Sequence, residues 1–253
     1  MSDYQTPDLQ RAAVSDEYSY GQIQSYPSDQ VLFPASVWVR SASSGPVTNW
    51  RYRFIKRAGD LLLVLAISPL LIPAILLVSL CVFLSSPGPI FYSHRRIRRS
   101  GTFFSMWKFR TMCVNSAEVL DEFLESNPEA RTEWKETHKL RHDPRVTAIG
   151  RFLRRYSLDE LPQIWNVVLG QMTLVGPRPI VAAEVEKYDA AFDCYCSVIP
   201  GVTGLWQVSG RSRLSYDERV ALDCEYVAKW SLSLDARILV KTLYSVVMQD
   251  GAF

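Results

Sequence analysis

At 253 residues, with 48% apolar and 21% charged side chains, the chain can bury one good-sized core, and its formal net charge of +2 is too small to make the whole molecule a binder of polyanions. Five cysteines, Cys81, Cys113, Cys194, Cys196 and Cys224, make no C-x-x-C pair and no zinc-ligand spacing, which argues against a disulfide framework and for a reducing compartment. Only three histidines are present, His94, His138 and His142, so acid–base or nucleophilic chemistry falls to carboxylates.

Residues 1–50 are rich in Ser, Asp, Gln, Tyr and Pro without a sustained period, and are expected to form a disordered tail. No basic region followed by an apolar core opens the chain, so the N-terminus is expected to stay on the side where it is made.

Residues 51–85 hold the strongest signal. Leu61 to Leu84 runs for 24 residues without a charged side chain, long enough to be a membrane helix. Pro69 and Pro73 near its middle predict a break at Ser68-Pro69. Arg51, Arg53, Lys56 and Arg57 flank one end, and Arg95, Arg96, Arg98 and Arg99 follow the other. Basic flanks mark the cytoplasmic side, and here both ends carry them. A re-entrant hairpin that enters and leaves by one face satisfies both observations, because arms of about ten residues reach only ~15 Å into a ~30 Å hydrocarbon core. A single proline-kinked span is the alternative.

Residues 86–253 read as a cytosolic α/β domain, mostly helical, with amphipathic helices suited to the interface. Period-2 alternation over Phe103 to Thr111 predicts a strand with Phe103, Trp107 and Phe109 on one face and Lys108 and Arg110 on the other. An amphipathic helix starts at Ser116, Asn127-Pro128 breaks it, and a second follows through Trp134 to Leu140. Further helices are predicted over Thr147 to Arg155, Tyr216 to Trp230, and Asp235 to Met248. The last carries Leu239, Val240, Leu243, Val246 and Val247 as a face for docking on a sheet or a membrane.

Two segments can carry chemistry. In RRYSLDELPQIWNVV, Asp159 and Glu160 lie at the expected start of a helix, where the dipole holds carboxylates ionised and able to coordinate Mg²⁺ or attack phosphorus. The same residues form the capping-box pattern Ser157-x-x-Glu160, a purely structural alternative. In VGPRP, Arg178 stands between two prolines, a stiff presentation of a guanidinium fork that suits phosphate oxygens. Arg110, Arg154, Arg155 and Arg211 add cations. The glycine-rich PGVTGLWQVSGR lets backbone approach a ligand closely, without being a Walker loop or a dinucleotide fingerprint.

KRAGD ahead of a proline-broken apolar run, then PIFYSHRRI, KFRTM, SLDELPQIWNV, LVGPRP, PGVTGLWQVSGR and LDCEYV, resemble in their order the bacterial sugar transferases, the monotopic phosphoglycosyl transferases. The resemblance runs from Lys56 to the C-terminus. It is nearest to the undecaprenyl-phosphate galactose phosphotransferases that initiate exopolysaccharide synthesis, through HDPRVT, SYDERVALDCEYV and ILVKTL. The chain departs from many relatives in having Arg98 where they have glycine.

The resemblance implies transfer of a hexose-1-phosphate, galactose or glucose, from a UDP-sugar to undecaprenyl phosphate at the cytoplasmic face of a bacterial inner membrane. It implies Asp159 as nucleophile, forming an aspartyl-phosphosugar with loss of UMP, and Glu160 as helper in the lipid half-reaction. Mg²⁺ is implied beside Asp159, and phosphate contacts at Arg178, with Arg110, Arg155 and Arg211 in support. Arg57 and Asp60 would anchor the re-entrant helix, and Ser68-Pro69 would break it. The expected partners are a UDP-sugar, a polyprenyl phosphate and membrane lipids, with no nucleic acid; a homodimer is compatible with the sequence. A non-enzymatic membrane-anchored subunit of a polysaccharide assembly complex is the alternative from another class.

Overall fold

The apolar run forms α1, Trp50–Ser85, an unbroken helix of 36 residues in a computed structural model that describes residues 46–137, 140–210 and 213–248. The expected tail lies outside the described residues as far as position 45. Its last stretch does not behave as a tail: a 3-10 turn, Pro46–Thr48, buries Val47 in the main core, and Asn49 caps α1 by accepting from the Arg51 backbone N–H.

The expected break at Ser68-Pro69 falls inside this helix, whose backbone stays helical through both residues. Pro69 cannot donate to the Leu65 carbonyl one turn earlier, but the Ser68 hydroxyl donates to that carbonyl at 2.8 Å. The orphaned acceptor is satisfied, so the helix runs on, as prolines in apolar surroundings allow. Among the described residues it is the one helix long and apolar enough to cross a membrane, and most of its surface lies open, Leu70 at 80%.

Both ends of α1 nevertheless pack on one domain. At its start Lys56, Asp60 and Val64 are buried, and near its end Val78 and Val82 are buried in a cluster with Phe109 and Leu153. Each large apolar side chain buried there contributes roughly 1.5–3 kcal/mol. The buried charges are matched: Lys56 Nζ lies 2.7 Å from Asp235 Oδ2 and 3.5 Å from Asp60 Oδ1. Trp230 Nε1 donates to the same Asp235 oxygen at 3.0 Å, and the Tyr226 hydroxyl is 2.8 Å from Asp235 Oδ1. Removing one member would strand the others without water, a loss of about 3–5 kcal/mol.

After α1 come β1, Phe91–Ile97, and β2, Phe103–Phe109, paired antiparallel with Phe91 opposite Phe109. Next are α2, Ser116–Ser126; α3, Pro128–Thr137; and α4, Ala148–Arg155, the last capped by Thr147 accepting from the Gly150 N–H. Asn127-Pro128 separates α2 from α3 as expected, since proline fits the first turn of the new helix. Then follow α5, Gln163–Val168; β3, Thr173–Val175; α6, Val185–Tyr188; α7, Phe192–Cys196; and β4, Gly201–Thr203. Strands β3 and β4 pair in parallel. Two helices finish the described chain: α8, Tyr216–Lys229, with a Ser215–Glu218 capping box, and α9, Leu232–Met248.

The architecture is thus mostly helical with two small two-stranded sheets. Helix α9 buries Ile238 against the core and leaves Val240, Leu243, Tyr244 and Met248 exposed, an apolar face of the kind expected at a membrane surface.

Candidate functional site

Strand β2 delivers the first functional side chain, on the face opposite Phe103 and Trp107. Phe104 and Met106 are buried and Trp107 is open, so the even-numbered face points inward and carries Lys108 with it. Asn166, fully buried in α5, locks this strand in place. Its side chain donates to the Ser105 carbonyl at 2.8 Å and accepts from the Trp107 N–H at 3.1 Å.

The carboxylates arrive on the turn between α4 and α5. Ser157 adopts a left-handed conformation, φ 54°, and a 3-10 turn, Leu158–Glu160, follows it. Ser157 makes no side-chain cap, so the capping-box pattern is not realised. Lys108 Nζ lies 2.7 Å from Glu160 Oε1 and 3.7 Å from Asp159 Oδ2 and bridges the pair.

A helix dipole was expected to hold both carboxylates ionised, and the structure separates them. Burial pushes the Asp159 carboxyl up and Glu160 adds to the rise, while Lys108 and Arg154 pull it down without cancelling it. For Glu160 burial acts in the same direction, but the charges of Lys108, Arg178 and Arg96 outweigh it and hold the group below the usual carboxylate range. Neighbouring carboxyls with opposed proton affinities suit different steps of one reaction.

Arg178 is the half-buried member of an otherwise buried loop. The loop is held by β-type bonds, Gly176 N to Thr203 O at 2.8 Å and Gly201 N to Pro177 O at 2.7 Å. A Cβ at Gly201 would stand 2.2 Å from the Gly176 nitrogen. The glycine-rich segment thus permits a close approach between strand and loop. Arg178 stacks over Trp206 at 5.8 Å and, with Glu160, Gln163 and Gln207, borders a small cavity beside the carboxylate pair.

The other expected site residues divide. Arg110 is committed elsewhere: it is buried and donates to the Pro87 and Ser86 carbonyls at 2.6 and 2.7 Å, tying down the chain just after α1. Arg155 is exposed at the end of α4, and its neighbour Arg154 is the one whose charge bears on Asp159, its Nε donating to Thr111 Oγ1 at 2.9 Å. Arg211 lies outside the described residues. Arg57 donates to the Val167 and Val168 carbonyls, closing the C-terminal end of α5, and Asp60 accepts from Thr173 Oγ1 at 2.5 Å. Both therefore position the elements around the carboxylates as well as anchoring α1.

Sequence reasoning missed Lys108 and Asn166 as site residues. The available signal for Lys108 was its place on the strand face shared with Phe104 and Met106. Among the described residues no group of three His, Cys, Asp or Glu side chains forms a metal cage. Adjacent carboxylates still fit Mg²⁺, which commonly takes one or two of them and completes its shell with substrate phosphate and water.

Residues 51–249 match the family model described as bacterial sugar transferase. The chain is 52% identical over 201 residues, 79% of its length, to the UDP-galactose-lipid carrier transferase of Erwinia amylovora, and covers 42% of that protein. It is 49% identical over 202 residues, 79% of its length, to the undecaprenyl-phosphate galactose phosphotransferase of Salmonella typhimurium, again covering 42%. It is 49% identical over 198 residues, 78% of its length, to the exopolysaccharide production protein ExoY of Sinorhizobium fredii, of which it covers 88%.

Proposed function

This chain belongs to the bacterial sugar transferase family, and from that premise we propose that it moves a hexose-1-phosphate, galactose or glucose, from a UDP-sugar to undecaprenyl phosphate. The observation that carries the proposal is the Lys108 bridge: one cation holding two adjacent carboxyls, Glu160 kept ionised and Asp159 with raised proton affinity, next to the Arg178 loop. Asp159 Oδ2 attacks the sugar-bearing phosphorus, the bond from that phosphorus to the UMP oxygen breaks, and UMP leaves. A phosphate oxygen of the polyprenyl phosphate then attacks the same phosphorus and releases Asp159, with Glu160 placed to take the acceptor's proton. Arg178 holds phosphate oxygens throughout. Mg²⁺ would be held beside Asp159 and, when bound, would supply neutralisation of phosphate charge.

The purified chain with Mg²⁺ is expected to release UMP from UDP-galactose or UDP-glucose before any lipid acceptor is added. A panel of UDP-sugars that yields no UMP with or without polyprenyl phosphate would sink the proposal.

We propose further that α1 bends at Ser68-Pro69 and so enters and leaves a bacterial inner membrane by its cytoplasmic face, leaving the site at that surface. The support is that both ends of α1 pack on one domain and both flanks are basic. Single cysteines at Ser44 and Ser100, on a cysteine-free background, should both resist an impermeant thiol reagent applied from outside. Labelling of one and not the other would identify a span instead.

A further inference from the structure

Helix α5 turns an apolar face outward directly after the carboxylates, starting three residues past Glu160. Its inward side is fixed: Gln163 and Asn166 are buried, Val167 is fully enclosed in the main core, and Ile164 packs beside it. On the other side Trp165, Val168 and Leu169, spaced three and four residues apart, are 59%, 41% and 54% exposed. Three large apolar side chains left open together mark a surface that takes an apolar partner.

The same strip lies along α1. Leu161, one turn before Trp165, packs against the cluster that holds Val78 and Val82 from the second half of α1. At the other end Arg57, from the first half of α1, donates to the Val167 carbonyl and, at 2.7 Å, to the Val168 carbonyl. One turn after Arg57, α1 exposes Leu61, Leu62 and Leu65. Both ends of the strip are thus tied to the helix read as membrane-embedded, and its start adjoins the turn that carries Asp159 and Glu160.

Of the molecules in the proposed reaction, only the lipid acceptor has a long apolar part. Its phosphate has to reach the phosphorus on Asp159 while its chain stays out of water. We propose that Trp165, Val168 and Leu169 seat the phosphate-proximal isoprene units of the polyprenyl phosphate and so lead the acceptor from the membrane to the carboxylates. The inference rests on the reading that the acceptor is a polyprenyl phosphate. The six residues of α5, rising ~1.5 Å each, span ~9 Å, room for the first isoprene units and not for the whole chain. Affinity gained on this strip is therefore available to a short prenyl phosphate as well as to a long one.

The test uses the full chain in lipid nanodiscs, with whichever of UDP-galactose and UDP-glucose releases UMP as donor, and with farnesyl phosphate or undecaprenyl phosphate as acceptor. Trp165→Ser and Leu169→Ser should each raise KM for both acceptors roughly tenfold. Exchange of labelled UMP into the donor without lipid should stay within about twofold, because that half-reaction uses no acceptor. Trp165→Phe should restore most of the lost affinity. Leu243→Ser, on the exposed apolar face of α9, removes a membrane contact away from the carboxylate turn and should change neither reading. A farnesyl phosphate with a diazirine in its first isoprene unit should label the peptide that contains Trp165.

Equal rises in KM for Trp165→Ser and Leu243→Ser would assign the strip to bulk lipid. Unchanged KM for Trp165→Ser together with loss of a dimer would assign it to a second copy of the chain. Either result overturns the inference while the acceptor reading stands, and so does label confined to other peptides, whatever the variants do. If UMP is released but the unaltered protein transfers sugar phosphate to neither acceptor, the acceptor reading fails and this inference with it.

Discussion

Replacing Asp159 with Asn is expected to abolish turnover, by roughly 10³-fold or more, together with lipid-independent exchange of labelled UMP into UDP-sugar. The amide keeps the size of the side chain and cannot attack phosphorus, so both half-reactions lose their nucleophile. Stability should move the other way. Asp159 is 9% exposed and burial raises its proton affinity, which means that the folded protein bears a cost for keeping charge there. Asn removes that cost, so the melting temperature of Asp159→Asn should hold or rise while activity disappears. Glu160→Gln should retain part of the UMP exchange if Glu160 serves the lipid step. Exchange that survives in Asp159→Asn would take the nucleophile's role away from this residue. So would intersecting initial-rate lines with no exchange in the absence of lipid, since these report a ternary complex.

Lys108→Met should produce the second largest loss, roughly 10²–10³-fold in kcat, by removing a fixed cation from the place where phosphate charge is handled. The pH profile separates this from a general loss of packing. Asp159 must be ionised to attack, so activity is present above its folded-state pKa and lost as pH falls through that value. Lys108 is the main influence holding that pKa down against burial. Without it the proton affinity of Asp159 rises further, and the acid limb of kcat should shift to higher pH. Lys108→Arg keeps the charge and should restore the position of that limb with part of the rate. An acid limb that stays in place in Lys108→Met would reduce Lys108 to a structural strut for Glu160.

Some of this was legible along the chain, because the features concerned are local. The uncharged run of α1, the Asn127-Pro128 break, the helices beginning near Thr147 and Tyr216, and the adjacency of Asp159 and Glu160 depend on neighbours within one or two turns. So does the proline-framed presentation of Arg178. The order of motifs sufficed for the resemblance to the family. Three features turned on a partner from far along the sequence. Arg110 satisfies carbonyls at Ser86 and Pro87, more than twenty residues earlier. Gly201 of β4 and Gly204 just after it are packed against Gly176. Val47 leaves the expected tail for the core.

By itself the sequence determined that a long apolar run would form a helix, that acids rather than histidines were the candidate reactive groups, and that Arg178 would be presented from a proline-framed loop. What the tertiary structure alone decided was the electrostatics. Alternation in β2 says that Phe103, Trp107 and Phe109 share a face, but only packing selects the inward one, and the burial of Phe104 and Met106 turns Lys108 toward the carboxylates. The opposed proton affinities of Asp159 and Glu160 follow, since burial penalises charge on both and only Glu160 receives enough cation to overcome it. A pKa reflects distances between groups set by the fold, and positions 108, 159, 160 and 178 come together only through it.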